Sequence, residues 1–370
     1  MLQQPIVVKV GSSLIAEGGV GIANSRLSEW VGQIAQLRQS GHLVVLVSSG
    51  AIAVGMEVLG WTVRPKKICD LQAAAAVGQV GLIKAYQKLF DRFHILAAQV
   101  LLTHDDIKER CRYLNVRTTL LTLLKQSVLP IINENDTVST AEINLGNNDT
   151  LGAMVASLLN AKAYIILTDC AGVYDDDPRS NPQARLIDEA AVNDPRLLQV
   201  ARGSGSKVGT GGMYTKIRAA RKAAKSGVKT IIASGQEEDV LLKIMQEEKV
   251  GTCLKPTVSI VNARSQWLIN QLIVAGVVII DPGAAIALRE YEKSLLPIGC
   301  VCIQGRFKRG DVVSICLSDN KEIARGLINY SSEDALRIMG LSTDKIEQSL
   351  GYIFEEELVH RNHMVLMEIP

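Results

Sequence analysis

Lys9 stands inside an otherwise apolar run, Ile6-Val7-Val8-Lys9-Val10, and Gly11-Ser12-Ser13 follows at once. An ammonium among valines is costly to bury unless an anion meets it. Two readings are open: a sheet-edge lysine snorkelling to water, or a cation held at a strand end to meet an anionic oxygen. Ser48-Ser49-Gly50-Ala51 also follows an apolar run. Such a turn lets backbone N–H groups approach an anion, or simply joins strand to helix tightly. Asn133-Glu134-Asn135-Asp136-Thr137 and Gly146-Asn147-Asn148-Asp149-Thr150 set amides beside carboxylates. That mixture suits a zwitterion, carboxylate for ammonium and amide for carboxylate. Asn148 or Asp149 is also well placed as a helix N-cap, but capping accounts for one residue and not for two dense clusters. Gly203 to Gly212 holds five glycines and leads into a helix with Lys216 in its first turn. A cation there opposes the helix dipole, unless an anion sits at the same place. The spacing is neither G-x-x-x-x-G-K-[ST] nor a G-x-G-x-x-G after a strand, and a glycine-rich surface loop is the alternative. Thr168-Asp169 ends another apolar run, and Asp175-Asp176-Asp177 reads as a solvated turn.

These residues need a frame that brings them together. Ile6–Val10, His42–Ser48, Ile95–Leu102, Val128–Asn133, Ala163–Leu167 and Val228–Ala233 are short apolar runs, as in strands buried on both faces. Helical patterns lie between them: Trp30–Gln39, Asp70–Phe90, Arg112–Gln126, Asn148–Ala161 and Thr215 to Gly227. This alternation predicts an α/β domain around a mainly parallel sheet, in which ligands bind at the C-terminal ends of strands. After Gly251 the pattern changes. Val277–Ile280, Gly299–Ile303, Asp311–Leu317 and Ile323–Ile328 predict a small β-rich domain, a partly closed barrel with Cys300 and Cys302 pointing inward. Residues 1–255 form the first domain and 274–370 the second, with a linker at about 256–273.

Composition narrows the function classes. Among 370 residues, 40 Lys and Arg face 38 Asp and Glu, so no strong global field draws nucleic acid or anionic membrane. The longest apolar run, Leu272–Ile280, is about half the ~18 residues of a membrane span. Met1 to Val10 runs straight into a strand without a signal-peptide pattern, and a cytoplasmic protein is expected. Seven cysteines, an odd number, mostly far apart and without C-x-x-C, imply neither a disulfide framework nor zinc. His360 and His363 lack further ligands nearby, so no metal site is expected.

Taken together, Val8–Ser13 (VKVGSS), Ser48–Ala51 (SSGA), Asn133–Ser139 (NENDTVS), Asn147–Asp149 (NND), Leu167–Pro178 (LTDCAGVYDDDP) and Gly209–Lys216 (GTGGMYTK) resemble the amino acid kinase family. Ser294–Gly299 (SLLPIG), Phe307–Val313 (FKRGDVV) and Ala324–Ser332 (ARGLINYSS) are similar to a PUA domain. The resemblance implies a three-layer α/β/α fold followed by a PUA-like barrel. It also implies phosphoryl transfer from ATP to the side-chain carboxylate of L-glutamate, giving glutamyl 5-phosphate, the first step toward proline. Mg²⁺ would be held largely by the nucleotide phosphates. Proline as feedback inhibitor, a dimer or tetramer, and hand-off to glutamyl phosphate reductase are further expectations of the resemblance.

A carboxylate is already a nucleophile, so the difficulty is its repulsion from the γ-phosphate. Two like charges ~4 Å apart at an effective dielectric constant of ~20 repel by about 4 kcal/mol. The resemblance places Lys9 and Lys216 around the transferring group, Lys216 toward the leaving β-phosphate and Lys9 toward the β,γ bridge. Asp149 would orient both ammonium groups, and Gly11 and Ser12 would supply backbone donors. Ser49, Gly50, Asp136 and Asn148 are the residues implied to hold glutamate. Thr168, Asp169, Thr210, Gly211, Gly212, Met213, Tyr214, Thr215 and Lys216 are those implied to hold ATP. RNA binding by the C-terminal domain is not favoured, because residues 281–370 carry ten Lys and Arg against fourteen Asp and Glu.

Overall fold

The computed structural model describes residues 3–16, 23–139, 148–203, 212–257 and 274–367. The chain divides into two compact units, Met1–Ile107 with Val116–Ile260 and Lys108–Asn115 with Val261–Pro370. The proposed linker falls almost wholly outside the described residues.

In chain order the first part runs β1 (Ile6–Val10), α1 (Ser12–Ile15), α2 (Asn24–Gln39), β2 (Val44–Ser48), α3 (Ala51–Val58), α4 (Ile68–Phe90) and β3 (Ala97–Leu102). It continues with α5 (His104–Lys108), α6 (Arg110–Lys125), β4 (Leu129–Glu134), α7 (Asn148–Leu158), β5 (Ala163–Thr168) and β6 (Glu189–Ala191). Then come α8 (Pro195–Gly203), α9 (Met213–Ala224), β7 (Lys229–Ser234), α10 (Val240–Met245) and β8 (Thr252–Lys255). Eight strands form one sheet in the order β3-β4-β2-β1-β5-β7-β8-β6, parallel throughout except between β7 and β8. Strands β6 and β8 are too short and too polar to stand out in the sequence.

Side chains alternate across β1. Ile6, Val8 and Val10 join Leu27, Trp30 and Ile34 of α2 in one core. Lys9 faces the other side, toward Asp149 on α7. Helices therefore cover both faces, which is the three-layer arrangement. The order of strands changes direction at β1, with β2 on one side and β5 on the other. A crevice opens beyond the carboxyl ends of strands at such a point.

The second unit holds a five-stranded sheet in the order β10-β9-β11-β12-β13, formed by Cys300–Gly305, Gly276–Ile280, Val312–Cys316, Glu322–Leu327 and Met364–Leu366. Val278, Ile280, Val313, Ile315, Ile323 and Tyr330 are fully buried in its core. Cys300 points inward as expected, but Cys302 is only half-buried. The pairing with β9 slips between these two cysteines, which breaks the alternation the sequence suggests. His360 accepts a hydrogen bond at Nδ1 from the Asn362 N–H, 3.0 Å away, so it caps a short turn. Among the described residues no helix is long and apolar enough to cross a membrane.

Candidate active site

Lys9 lies in the middle of the sheet, opposite Val47 of β2 and Ile166 of β5. It is 4% exposed, so the edge-lysine reading falls. Its Nζ is 2.6 Å from Oδ1 of Asp149, and Nζ of Lys216 is 3.4 Å from Oδ2 of the same carboxylate. One fully buried aspartate thus bridges two buried lysines. Asp149 is no helix cap: its side chain is committed to the lysines, and Asn148 is the first helical residue. The anion that reconciles Lys216 with its place in the first turn of α9 is, within the protein, Asp149.

The triad is held from behind. Tyr164 on β5 donates its hydroxyl to the Asp149 carbonyl at 2.8 Å. Gly152, one turn along α7, makes room, since a Cβ there would lie 2.5 Å from that hydroxyl oxygen. Thr215 Oγ1 sits 2.9 Å from Asp149 Oδ2 and 2.7 Å from the Gly212 carbonyl. Burial pushes the Asp149 carboxyl up, yet Lys9 and Lys216, with hydrogen bonds from Lys9 and Thr215, outweigh it and hold the group below its ordinary value. For Lys9 burial wins. It pushes the ammonium below the ordinary lysine value, Asp149 opposes, and Lys216 adds to the push.

A second network joins the ends of β2 and β4 to α7. Asn148 Nδ2 donates to Ser49 Oγ at 2.8 Å and to Asn133 Oδ1 at 2.9 Å. Asn133 Nδ2 in turn donates to Gln79 Oε1 on α4 at 2.8 Å. Gly50 opens α3 at φ +105°, where a Cβ would sit 2.8 Å from Ile15 Cγ2. Only glycine suits that turn.

Both networks border a cavity of about 950 Å³. Ser49, Gly50, Asn133, Glu134, Asp136 and Asn148 line part of it, and Thr168, Asp169, Gly212 and Met213 another part. Lys9, Gly11, Ser12 and Lys216 line it as well. Gly11 cannot act as the expected backbone donor, because its N–H is spent on the Leu167 carbonyl at 3.2 Å. The first-turn N–H groups of α1, at Ser12 and Ser13, lie where a helix supplies no acceptors of its own. Tyr214 and Thr215 are not among the described residues lining the cavity. Tyr214 lies under the Arg218 guanidinium, 5.8 Å from ring centroid to carbon, and Thr215 serves Asp149. Thr210 and Gly211 lie outside the described residues. Asn133, Gln79, Glu134 and Tyr164 join the site beyond the residues that the resemblance implies. Asn133 and Glu134 carry a signal, their place in a polar cluster at a strand end, whereas Gln79 and Tyr164 carry none.

Residues 4–234 match the model of the Amino acid kinase family. The chain is 52% identical over 362 residues to the glutamate 5-kinase of Chromobacterium violaceum, covering 98% of this chain and 97% of that one. The chain belongs to the amino acid kinase family, among the glutamate 5-kinases. Another member of that group, from Ralstonia pickettii, is 54% identical with the same coverage. Residues 276–350 match the PUA domain model. In fold, the amino acid kinase part is similar to a carbamate kinase from Giardia lamblia bound to AMP-PNP, with a TM-score of 0.50 and 17% identity over 68% of this chain and 98% of that one. The Lys9–Asp149–Lys216 triad sits inside the stretch matched to the amino acid kinase model.

Proposed function

We propose that this chain transfers the γ-phosphoryl group of ATP to the side-chain carboxylate of L-glutamate, releasing ADP and glutamyl 5-phosphate. The observation that carries the reading is the pair of lysines on one buried carboxylate, beside a cavity with amides and carboxylates on its wall. The names of the relatives supply the acceptor. The acceptor carboxylate needs no general base, so the protein's work is positioning and charge stabilisation. Lys216 is assigned to the charge growing on the β-phosphate, and Lys9 to the β,γ bridge and the transferring group. Asp149 keeps both ammonium groups aimed and offsets their mutual repulsion. Ser12 offers a backbone donor. Thr168, Asp169, Gly212 and Met213 are assigned to the nucleotide, and Ser49, Gly50, Asp136 and Asn148 to glutamate.

Among the described residues no group of three or more His, Cys, Asp or Glu could hold a metal ion. Mg²⁺ is assigned to the substrate as MgATP, carried in on the nucleotide phosphates. A cytoplasmic homo-oligomer, inhibition by proline and transfer of the labile acyl phosphate to a reductase complete the reading. RNA binding stays disfavoured on charge.

The deciding experiment traps acyl phosphate with hydroxylamine in the presence of MgATP and glutamate, acetylglutamate or aspartate. Hydroxamate from glutamate alone supports the reading. Product from another acid keeps the lysine roles and overturns the acceptor. Asp136→Ala is expected to raise the glutamate KM by roughly 10- to 100-fold, the scale of one charge-assisted hydrogen bond, with the ATP KM within a factor of about three. An effect confined to ATP contradicts the assignment. Because Lys9 sits below its ordinary value, kcat/KM for ATP should fall on the alkaline side at a pH under 10.5. Lys9→Arg, protonated throughout, should lose that limb while turning over more slowly. A limb that survives the substitution belongs to another group.

A further inference from the structure

The orientation of the Asn148 amide is dictated by a main-chain group. The N–H of Glu134 donates to Asn133 Oδ1 at 2.9 Å, which fixes that atom as the oxygen. Asn148 must then present its nitrogen to it, and Nδ2 also reaches Ser49 Oγ and, at 3.3 Å, the Ser48 carbonyl. A flipped amide would set oxygen against two oxygens. The donor side of Asn148 is therefore spent inside the protein. Its Oδ1 is buried and accepts no hydrogen bond among the described residues.

Glu134 offers acceptors in the same wall. It is 4% exposed, lines the cavity, and neither Oε1 nor Oε2 accepts a hydrogen bond among the described residues. His104, at the start of α5, brings Nδ1 to 3.4 Å from Oε2. Oε2 thus has an ion-pair contact within the protein, whereas Glu134 Oε1 and Asn148 Oδ1 have none among the described residues, and buried acceptors of that kind are costly unless a ligand supplies the protons. An amide N–H would suit a substrate carboxylate, but the spent Nδ2 leaves Asn148 only an acceptor to offer.

We propose that Glu134 and the Oδ1 of Asn148 form an acceptor pair for the α-ammonium group of the amino acid, which makes Glu134 a specificity-determining residue for free over N-acylated or deaminated acids. This rests on the glutamate reading above. An ammonium has three protons to give and no lone pair, so it satisfies acceptors that an acetamido group or a methylene cannot. A site built in this way rejects analogues lacking the donor strongly, because their binding strands its buried oxygens.

The experiment compares glutamate with glutarate, which lacks the ammonium, by MgATP-dependent hydroxamate formation in the wild type, Glu134→Gln and Glu134→Asp. Thermal unfolding of each protein accompanies the kinetics. For Glu134→Gln, kcat/KM for glutamate is expected to fall roughly 10- to 100-fold, mainly through KM, with the ATP KM unmoved. For glutarate it should stay within about threefold of wild type, so the preference for glutamate shrinks by the same factor. Glu134→Asp keeps the charge and should retain most of the preference. Equal losses with both acids would show a structural role and overturn the proposal. So would an undiminished preference in Glu134→Gln. If the wild type phosphorylates neither acid, the glutamate reading itself fails, and this inference with it, a result distinct from either variant outcome.

Discussion

Lys216→Ala is expected to lower kcat by roughly a thousandfold or more, within the range found when a cation serving a phosphoryl transition state is removed. The side chain is buried, 3.4 Å from Asp149, and lines the cavity, so its charge meets the cavity with little water around it. A cation in such surroundings acts on developing phosphate charge with little screening. Interactions made only in the transition state lower kcat and kcat/KM together when they are lost. The glutamate KM should therefore move little. Steady-state kinetics with glutamate and MgATP varied separately decide the matter. Turnover within tenfold of wild type would remove Lys216 from the phosphoryl site.

Asp149→Ala is expected to damage stability and activity together. The substitution leaves Lys9 and Lys216 buried with no counter-charge, and breaking a buried pair by removing one partner costs about 3–5 kcal/mol. In a domain of this size about 1 kcal/mol corresponds to roughly 2–4 °C in Tm. A fall of about 6–20 °C follows from those two figures. The pH dependence has a definite sign. The folded carboxyl lies below its ordinary value of 3.8. Its contribution to stability is thus present above the unfolded value and lost as pH falls through the folded one. Unfolding curves of wild type and variant should converge under acid conditions and diverge above the unfolded value. Saturating MgATP should recover part of the lost Tm, since phosphates replace the missing anion. An unchanged Tm in Asp149→Ala would mean that the lysines are not paired as described.

What could be read from sequence follows from what is locally anomalous. Lys9 is conspicuous because a cation interrupts a run of aliphatic residues, and Lys216 because it sits at the wrong end of a helix dipole. The strands are legible because burial on both faces leaves little room for polar residues. Asp149 is ambiguous, since an aspartate at a helix start is what capping alone would give. Its part emerges only when β1, α7 and α9 converge. Gln79 is the extreme case. It lies on an Ala-rich helix and meets Asn133 from 54 positions away. No local pattern encodes that meeting. The direction of the Asn148 amide is equally hidden, being decided by a backbone N–H.

The buried triad also has a consequence for how the protein balances folding against chemistry. Lys9 and Asp149 are stripped of water before any nucleotide arrives. With the lysines in the roles proposed for them, little solvent reorganisation remains to be done when phosphoryl charge develops. The same dehydration is a standing load on the folded state, because well-packed apolar groups in place of buried charges are often more stable. The centre of the sheet is thus a place where sequence drift toward greater stability and drift toward greater activity point in opposite directions.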